Sequence, residues 1–216
     1  MKYLGNLFII SAPSGVGKTS LVKAIIKRFT NLVSSISYTT RIKRPREKNG
    51  IDYFFVTRDV FIDMANKHEF LETSIVFDNY YGTNRYFVEN LLLQGNDVIL
   101  EIDWQGAKKI KEYLNKLSII ENKKVIEYTS IFILPPSIQA LSERLKARGQ
   151  DKLAVIEKRL NSAQQEIRHY VDYNYIVINE NFNQAIYDLE MIIGAQKLRR
   201  SKQEGLHAKL IKNLLV

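Results

Sequence analysis

Residues Phe8–Leu21, FIISAPSGVGKTSL, decide how the rest of the chain is read. The apolar run Leu7-Phe8-Ile9-Ile10 reads as a buried strand, and it breaks into the small-residue turn Ser11-Ala12-Pro13-Ser14-Gly15-Val16-Gly17. The chain resumes as Lys18-Thr19-Ser20-Leu21-Val22-Lys23-Ala24-Ile25-Ile26, where Leu21, Val22, Ile25 and Ile26 recur at helical spacing. Strand, glycine turn, Lys-Thr and helix in that order are the context of a phosphate-binding P-loop. Gly15 and Gly17 let the backbone curl until several N–H groups face one anion, aided by the positive end of the helix. Lys18 reaches the outer phosphates, and the Thr19 hydroxyl is a ligand for Mg²⁺. The candidate phosphate site is therefore Ala12, Pro13, Ser14, Gly15, Val16, Gly17, Lys18, Thr19 and Ser20. The pattern usually opens with glycine where this chain has Ala12, a replacement that is tolerable at negative φ. The competing reading, a βα turn that binds nothing, fits poorly with Gly-Lys-Thr set between a strand and an amphipathic helix.

Outward from that stretch, further short apolar runs alternate with helical patterns. Asp97–Ile102 and Thr129–Leu134 are nearly continuous apolar strands of the kind buried in parallel sheets, and Tyr175–Ile178 reads as the last strand. Helical patterns cover Arg85–Leu93, Gln105–Leu114, Ile138–Ala147, Leu153–Tyr170 and Phe182–Arg200. This alternation predicts an α/β fold with a doubly wound parallel sheet. The segment from Ser37 to about Tyr86 breaks it, being strand-rich, aromatic and basic, and reads as an inserted substrate module. Within it, Leu32–Thr40 enters as a strand, Asp52–Val56 and Phe70–Phe77 are strands, Arg58–Lys67 is a helix, and Asn79–Thr83 is a turn. Asn115–Tyr128 is a loosely patterned connection. The expected division is a P-loop core of residues 1–36, 87–135 and 171–216, a module of 37–86, and a lid with its adjoining helix over 136–170.

Composition narrows the class. A chain of 216 residues with 45% hydrophobic and 25% charged content is expected to form one soluble globular core with small insertions. Cysteine is absent, which excludes thiolate metal sites and disulfides and suits a reducing cytoplasm. His68, His169 and His207 lack ligand-like spacing, so a protein-ligated zinc site is not expected. Gly5-Asn6 interrupts the first apolar run, and no later run approaches membrane-spanning length. The net charge of +9 sits wholly in residues 1–50, with ten basic residues against Glu47 alone. Charge gathered around the phosphate loop suits a mononucleotide with its phosphates at least as well as a duplex, and neither a nucleic-acid nor a membrane partner is expected. Monomer and homo-oligomer are both compatible with the sequence.

A P-loop alone does not choose among ATPases, GTPases and small-molecule kinases. The module after it does more. Ser37, Arg41 and Arg44 put two guanidiniums in a hydroxyl-rich segment, and Tyr53 follows on the next strand. Arginine forks match phosphate oxygens bidentately, and a phenol adds a donor. Glu72 and the segment Tyr80-Tyr81-Gly82-Thr83 come next. A guanine ring offers two donors and one acceptor on its pairing edge, which a carboxylate and a hydroxyl complement. Glu72 with Thr83 or Ser37 is thus a candidate guanine reader. Glu101 and Asp103 end a buried strand beside the P-loop, placed either to contact a base or to organise Mg²⁺ through water.

The run SISYTTRIKR…NGIDYFFV, the segment NYYGT, the strand end ILEIDWQG and the stretch FILPPS…LSERLKARG together resemble guanylate kinases, in order and over nearly the whole chain. The resemblance implies a nucleoside monophosphate kinase fold, with a mixed-β GMP-binding module and a helical lid. It implies Mg²⁺-dependent transfer of the ATP γ-phosphoryl group to GMP or dGMP. Arg41, Arg44, Tyr53 and Tyr81 would hold the GMP phosphate, and Ser37, Glu72, Thr83 and Glu101 would face the base, with Asp103 beside them. Arg148 and Arg159 match lid arginines that clamp the transferring group, with Arg144 as a helper. Asn179 with Glu180 matches the adenine edge of the ATP site. Lys18, Arg44, Arg148 and Arg159 are the expected catalytic cations. Ala12 and Arg46 replace glycines of the commoner pattern, Asp78 stands where glycine often precedes Asn-Tyr-Tyr-Gly, and the 115–128 connection is longer than usual. Two alternatives remain at this level: a catalytically silent interaction domain, and a P-loop kinase for another phosphorylated acceptor.

Overall fold

The computed structural model describes residues 4–120, 126–147 and 153–216. In chain order the first elements are β1 (Leu7–Ser11), α1 (Lys18–Ile26), β2 (Leu32–Ser35), β3 (Tyr38–Thr39), β4 (Phe54–Phe55), α2 (Arg58–Asn66), β5 (Phe70–Val76), β6 (Asn79–Asn84) and α3 (Arg85–Leu93). After them come β7 (Asp97–Glu101), α4 (Trp104–Ile120), β8 (Tyr128–Leu134), α5 (Ile138–Ala147), α6 (Leu153–Ile167), a 3₁₀ turn at Arg168–Asp172, β9 (Tyr175–Ile178), α7 (Phe182–Lys197), α8 (Arg200–Leu206) and α9 (Ala208–Leu214).

Five strands form a parallel sheet in the order β2-β7-β1-β8-β9. All five residues of β1 are buried, and its side chains alternate between the faces. Phe8 and Ile10 join Leu21, Val22 and Ile25 of α1 and Ile186, Leu189 and Ile193 of α7. Leu7 and Ile9 join Val88 and Leu92 of α3 and Ile110 and Leu114 of α4. Burying each such side chain is worth about 1.5–3 kcal/mol, so the central strand is fixed from both sides. Because β7 and β8 flank β1 on opposite sides, the chain leaves β1 at the point where the sheet winds both ways. The crevice beyond the strand ends opens there.

The second sheet runs β4-β3-β6-β5 and is mixed, with β3 and β4 parallel and the remaining pairs antiparallel. The strand expected over Leu32–Thr40 is divided: β2 belongs to the parallel sheet and β3 to the mixed one. Asn79–Thr83, expected as a turn, is strand β6. The reversal falls instead on Phe77 and Asp78, both at positive φ (47° and 63°), the geometry of a tight hairpin. Asp78 thereby takes a left-handed conformation usually left to glycine, whereas neither Ala12 nor Arg46 does.

Helix starts follow local chemistry. The side chains of Thr57, Asn84 and Asn181 accept backbone N–H groups at the starts of α2, α3 and α7. Asp103 Oδ1 accepts from the amides of Gln105 (2.7 Å) and Gly106 (3.1 Å) at the start of α4. That helix continues to Ile120, through the first six residues of the segment read as a loose connection; residues 121–125 of that segment lie outside the described ones. The final long helix stops at Lys197, whose ammonium lies 3.2 Å from the fully buried Asp97 carboxylate.

Candidate nucleotide-binding site

The phosphate loop is shaped by backbone and held from behind. Gly15 and Gly17 have φ of 96° and 100°, and Gly17 caps α1 in the left-handed region. A Cβ on Gly15 would stand 2.8 Å from Leu145 of α5, so the glycine also lets that helix press on the loop. The Val16 carbonyl accepts from Asn179 Nδ2 (2.7 Å) and Arg144 Nη1 (3.1 Å), and Arg144 Nη2 donates to the Asn179 carbonyl (2.8 Å). Pinning that carbonyl leaves the amides of the turn to face an anion. Lys18 Nζ donates to the Ile102 carbonyl at 2.9 Å, which lays the ammonium across the end of β7. Thr19 Oγ1 donates to Glu101 Oε1.

In front of the loop lies a cleft of about 520 Å³, lined by Ala12 to Ser20, Ser37, Arg41, Arg44, Tyr53, Glu72, Tyr81, Glu101, Asp103 and Arg159 among others. The structure thus gathers residues far apart in sequence around one space. Glu72 is buried, with Thr83 Oγ1 donating to its Oε1 at 2.8 Å and no hydrogen-bond partner on Oε2 among the described residues. Burial raises this carboxyl to about 7, with Asp103 pushing the same way and the Thr83 hydrogen bond opposing. Thr83 is fully buried and reaches the cleft only through Glu72, so of the two hydroxyls expected to read the base Ser37 is the one that lines it. Asp103 accepts from Ser74 Oγ at 2.6 Å, tying β5 to the start of α4.

Arg41 and Arg44 converge on one carboxylate. Arg41 Nη2 lies 2.7 Å and Arg44 Nη1 3.7 Å from Glu47 Oε1. The Arg41 guanidinium sits over the rings of Tyr53 (5.5 Å) and Phe55 (5.7 Å), and Tyr53 meets Tyr81 edge-on at 5.9 Å. Burial raises the Tyr53 phenol well above its ordinary value, so it stays a hydrogen-bond donor at neutral pH. Arg159 of α6 lies 5.9 Å over the Phe77 ring at the tip of the β5–β6 hairpin. Arg144 and Asn179 stand behind the loop and do not line this cleft, and Glu180 is exposed. Arg148 and the glycine break beside it lie outside the described residues.

Sequence reading missed Glu47, Lys158 and Glu166. Glu47 was visible as the single acid in the basic stretch. Glu166 gave no signal, because its place in the cleft depends on how α6 packs.

The Thr19 hydroxyl in contact with the Glu101 carboxylate supplies hard oxygen donors beside the loop, a set that suits Mg²⁺. Among the described residues no cluster of three or more His, Cys, Asp or Glu forms a self-sufficient metal cage. Such a cation would therefore depend on substrate phosphates and water for the rest of its shell. Among the described residues no helix is long and apolar enough to cross a membrane.

A sequence model of the family described as guanylate kinase matches residues 4–196. A guanylate kinase of Coxiella burnetii is 47% identical over 210 residues, covering 97% of each chain. One of Hahella chejuensis is 48% identical over 200 residues, covering 93% of this chain and 91% of the relative. The crystal structure of guanylate kinase from Anaplasma phagocytophilum superimposes with a TM-score of 0.74 at 32% identity, over all of this chain and 98% of that one. Likeness in sequence over nearly the full length, a shared fold, and a P-loop facing a carboxylate-bearing module lead to one assignment: the chain belongs to the guanylate kinase family.

Proposed function

We propose that this chain transfers the γ-phosphoryl group of ATP to GMP or dGMP, giving ADP and GDP or dGDP. The observation that carries the reading is Glu72: a buried carboxylate, oriented by Thr83, opening into the same cleft as the phosphate loop. In its ionised form it accepts from guanine N1–H and N2–H₂, while the Ser37 hydroxyl serves O6. Adenine would meet that carboxylate with an acceptor at N1, leaving buried groups unpaired.

The acceptor phosphate is assigned to Arg41, Arg44, Tyr53 and Tyr81. Glu47 holds the two guanidiniums together until that phosphate arrives. A GMP phosphate oxygen attacks the γ-phosphorus, the bond to the β–γ bridging oxygen breaks, and ADP leaves with that electron pair. The nucleophile is already largely ionised at neutral pH, so no general base is required. Catalysis is positioning and charge neutralisation by Lys18, Arg44, Arg159 and Arg148. Mg²⁺, held through Thr19 with Glu101 and Asp103 behind it, would supply charge neutralisation at the phosphates. Arg144 and Asn179 act on the donor side by fixing the loop, with Glu180 at the adenine edge. Closure of module and lid excludes water that would otherwise hydrolyse ATP. A cytoplasmic enzyme with small-molecule partners, and neither nucleic acid nor membrane, suits the charge clustered at the loop.

A coupled assay supplying ATP with GMP, dGMP, AMP, UMP or dTMP tests the reading. ADP production is expected with the guanine acceptors alone. Turnover of another monophosphate at a comparable rate would overturn the base assignment, and silence with every acceptor would overturn the catalytic one.

A further inference from the structure

Phe77 lines the cleft, yet the proposed reaction gives it no role. It stands at the tip of the β5–β6 hairpin, where Val76 pairs with Asn79 and the Asn79 side-chain amide donates to the Phe77 carbonyl at 2.6 Å. Its φ of 47° lies in the left-handed region, which a Cβ makes costly and a bulky side chain rarely enters. Burial offers little in return, since the residue is 40% exposed. Strain of this kind persists where the surroundings over-determine it, and it gathers at ligand clamps and switch segments.

What the ring meets at that tip is α6. The Arg159 guanidinium lies 5.9 Å from its centroid, and Val155 and Arg159 line the same cleft as Phe77. Val155 and Arg159 are one turn apart, hence neighbours on one face of the helix. The adjoining face, Ile156, Leu160 and Ala163, packs with Leu141 and Leu145 of α5, so α6 is backed by apolar contact and presents its cation to the hairpin. A ring face attracts a guanidinium without occupying any of its five N–H donors. A carboxylate in that place would compete with phosphate for them. The contact therefore orients Arg159 without contesting the fork that phosphoryl oxygens need. It also joins two parts of the chain directly. The hairpin that carries Phe77 carries Glu72 on β5 and Tyr81 on β6, so its movement when GMP seats is passed to Arg159 without a step through the parallel sheet.

We propose that Phe77 is a positioning residue for phosphoryl transfer, its ring holding the Arg159 guanidinium so that seating GMP in the module also sets the cation that meets the transferring group. This rests on the reaction proposed above. The contact needs an aromatic face at the hairpin tip, and apolar bulk alone does not replace it.

The test compares Phe77→Leu and Phe77→Met, which keep apolar bulk and remove the ring, with Phe77→Tyr and Phe77→Trp, which keep a ring. All four share the left-handed backbone cost, so strain does not separate them. Each is assayed at saturating ATP and GMP with KM for GMP measured separately, and folding is checked by thermal melting. The ringless pair is expected to lose about 3- to 10-fold in kcat, the range of one cation–ring contact, with KM for GMP within about twofold. The aromatic pair should stay within about twofold of wild type in both. In an Arg159→Ala background Phe77→Leu should cost less than about 1.5-fold more, because the two residues act as one unit. Equal losses in the ringless and aromatic pairs would overturn the proposal in favour of a purely structural hairpin. Losses that multiply with Arg159→Ala would overturn it as well. Undiminished turnover of GMP by Phe77→Leu would sink this inference alone, whereas a wild-type enzyme inert towards GMP would sink the reaction it rests on.

Discussion

The two sheets of this chain are held together in different ways, and they contribute different things to the cleft between them. In the parallel sheet, Phe8, Ile9, Ile10, Ile99, Ile131 and Ile133 are all fully buried, with helices on both faces. In the mixed sheet β3 and β4 are two residues each, and much of the packing is between rings. Tyr38 stacks on Phe54 and Phe61 on Phe70, each pair at 4.7 Å. The parallel sheet delivers backbone: a glycine turn, its amides and a lysine at a fixed strand end. The mixed sheet delivers side chains: Glu72, Tyr53, Tyr81 and the guanidiniums pinned by Glu47. Changes on the first side should therefore strike turnover with either nucleotide bound, and changes on the second should strike GMP affinity while sparing ATP.

Lys18→Ala attacks the core side most directly. Loss of a preorganised transition-state charge costs about 100- to 1,000-fold in kcat, measured at saturating substrates. The melting temperature should stay near that of wild type, because the ammonium's bond to the Ile102 carbonyl is only partly buried. A comparable rise in KM for GMP with kcat intact would break the division between the two sheets.

Glu72→Gln attacks the module side. Replacing one acceptor by an amide donor opposite the guanine N–H groups forfeits charged hydrogen bonds worth about 1.5–3 kcal/mol each, so KM for GMP should rise about 30- to 100-fold. KM for ATP should not move. The raised carboxyl adds a pH signature. With its midpoint at about 7, Glu72 is ionised above neutrality and protonated below it. Protonation removes an acceptor and adds a donor, so KM for GMP should climb as pH falls from 8 to 6. The same profile measured with Glu72→Gln should be flatter, the residual slope belonging to the GMP phosphate.

Gly106→Ala sharpens the same point from the core side of the boundary. A methyl on this helix residue would lie 2.7 Å from Glu72 Oε2, so α4 leaves room for the carboxylate by having no side chain there. Displacing the flexible end of Glu72 is expected to raise KM for GMP about 5- to 10-fold with kcat nearly unchanged, a cost of about 1 kcal/mol. Unaltered GMP affinity in the Gly106→Ala enzyme would show that Glu72 does not need that corner.

The same contrast explains what the sequence made legible. The phosphate loop is a local device, with strand, glycines, lysine and helix consecutive, and the strands β7 and β8 announce themselves as unbroken apolar runs. The module was harder, since its strands are short and polar and its tight turn uses Phe77 and Asp78 in place of glycine. Asn79–Thr83 carries turn-forming residues yet pairs as a strand, because register with β5 outweighs local propensity. Contacts that cross the fold left no trace in spacing. Asn179 holds the carbonyl of Val16, 163 residues away. Gly106 matters only because α4 passes Glu72, and Glu166 reaches the cleft only through the packing of α6 on α5. The resemblance to a family named Asn179 and most of the cleft residues, whereas packing alone revealed Gly106 and Glu166.

The smallest effect is expected where the two halves are joined by charge alone. Lys23 of α1 and Asp52 of the module meet at 2.6 Å, with side-chain exposures of 59% and 19%. Short distance suggests a clasp, but exposure decides the energetics. Ion pairs of this kind contribute about 0–1 kcal/mol and weaken with salt, because water and counterions screen both partners. Asp52 has a second task in any case, accepting the Lys48 amide at 2.9 Å within its own loop, so losing Lys23 does not strand it. Lys23→Ala should therefore lower the melting temperature by less than about 2 °C and change KM for GMP by less than about threefold. The residual difference from wild type should vanish in high salt. A tenfold change in GMP affinity that persisted there would mean that this pair, rather than the β5–α4 contact through Ser74 and Asp103, sets how the module stands against the core.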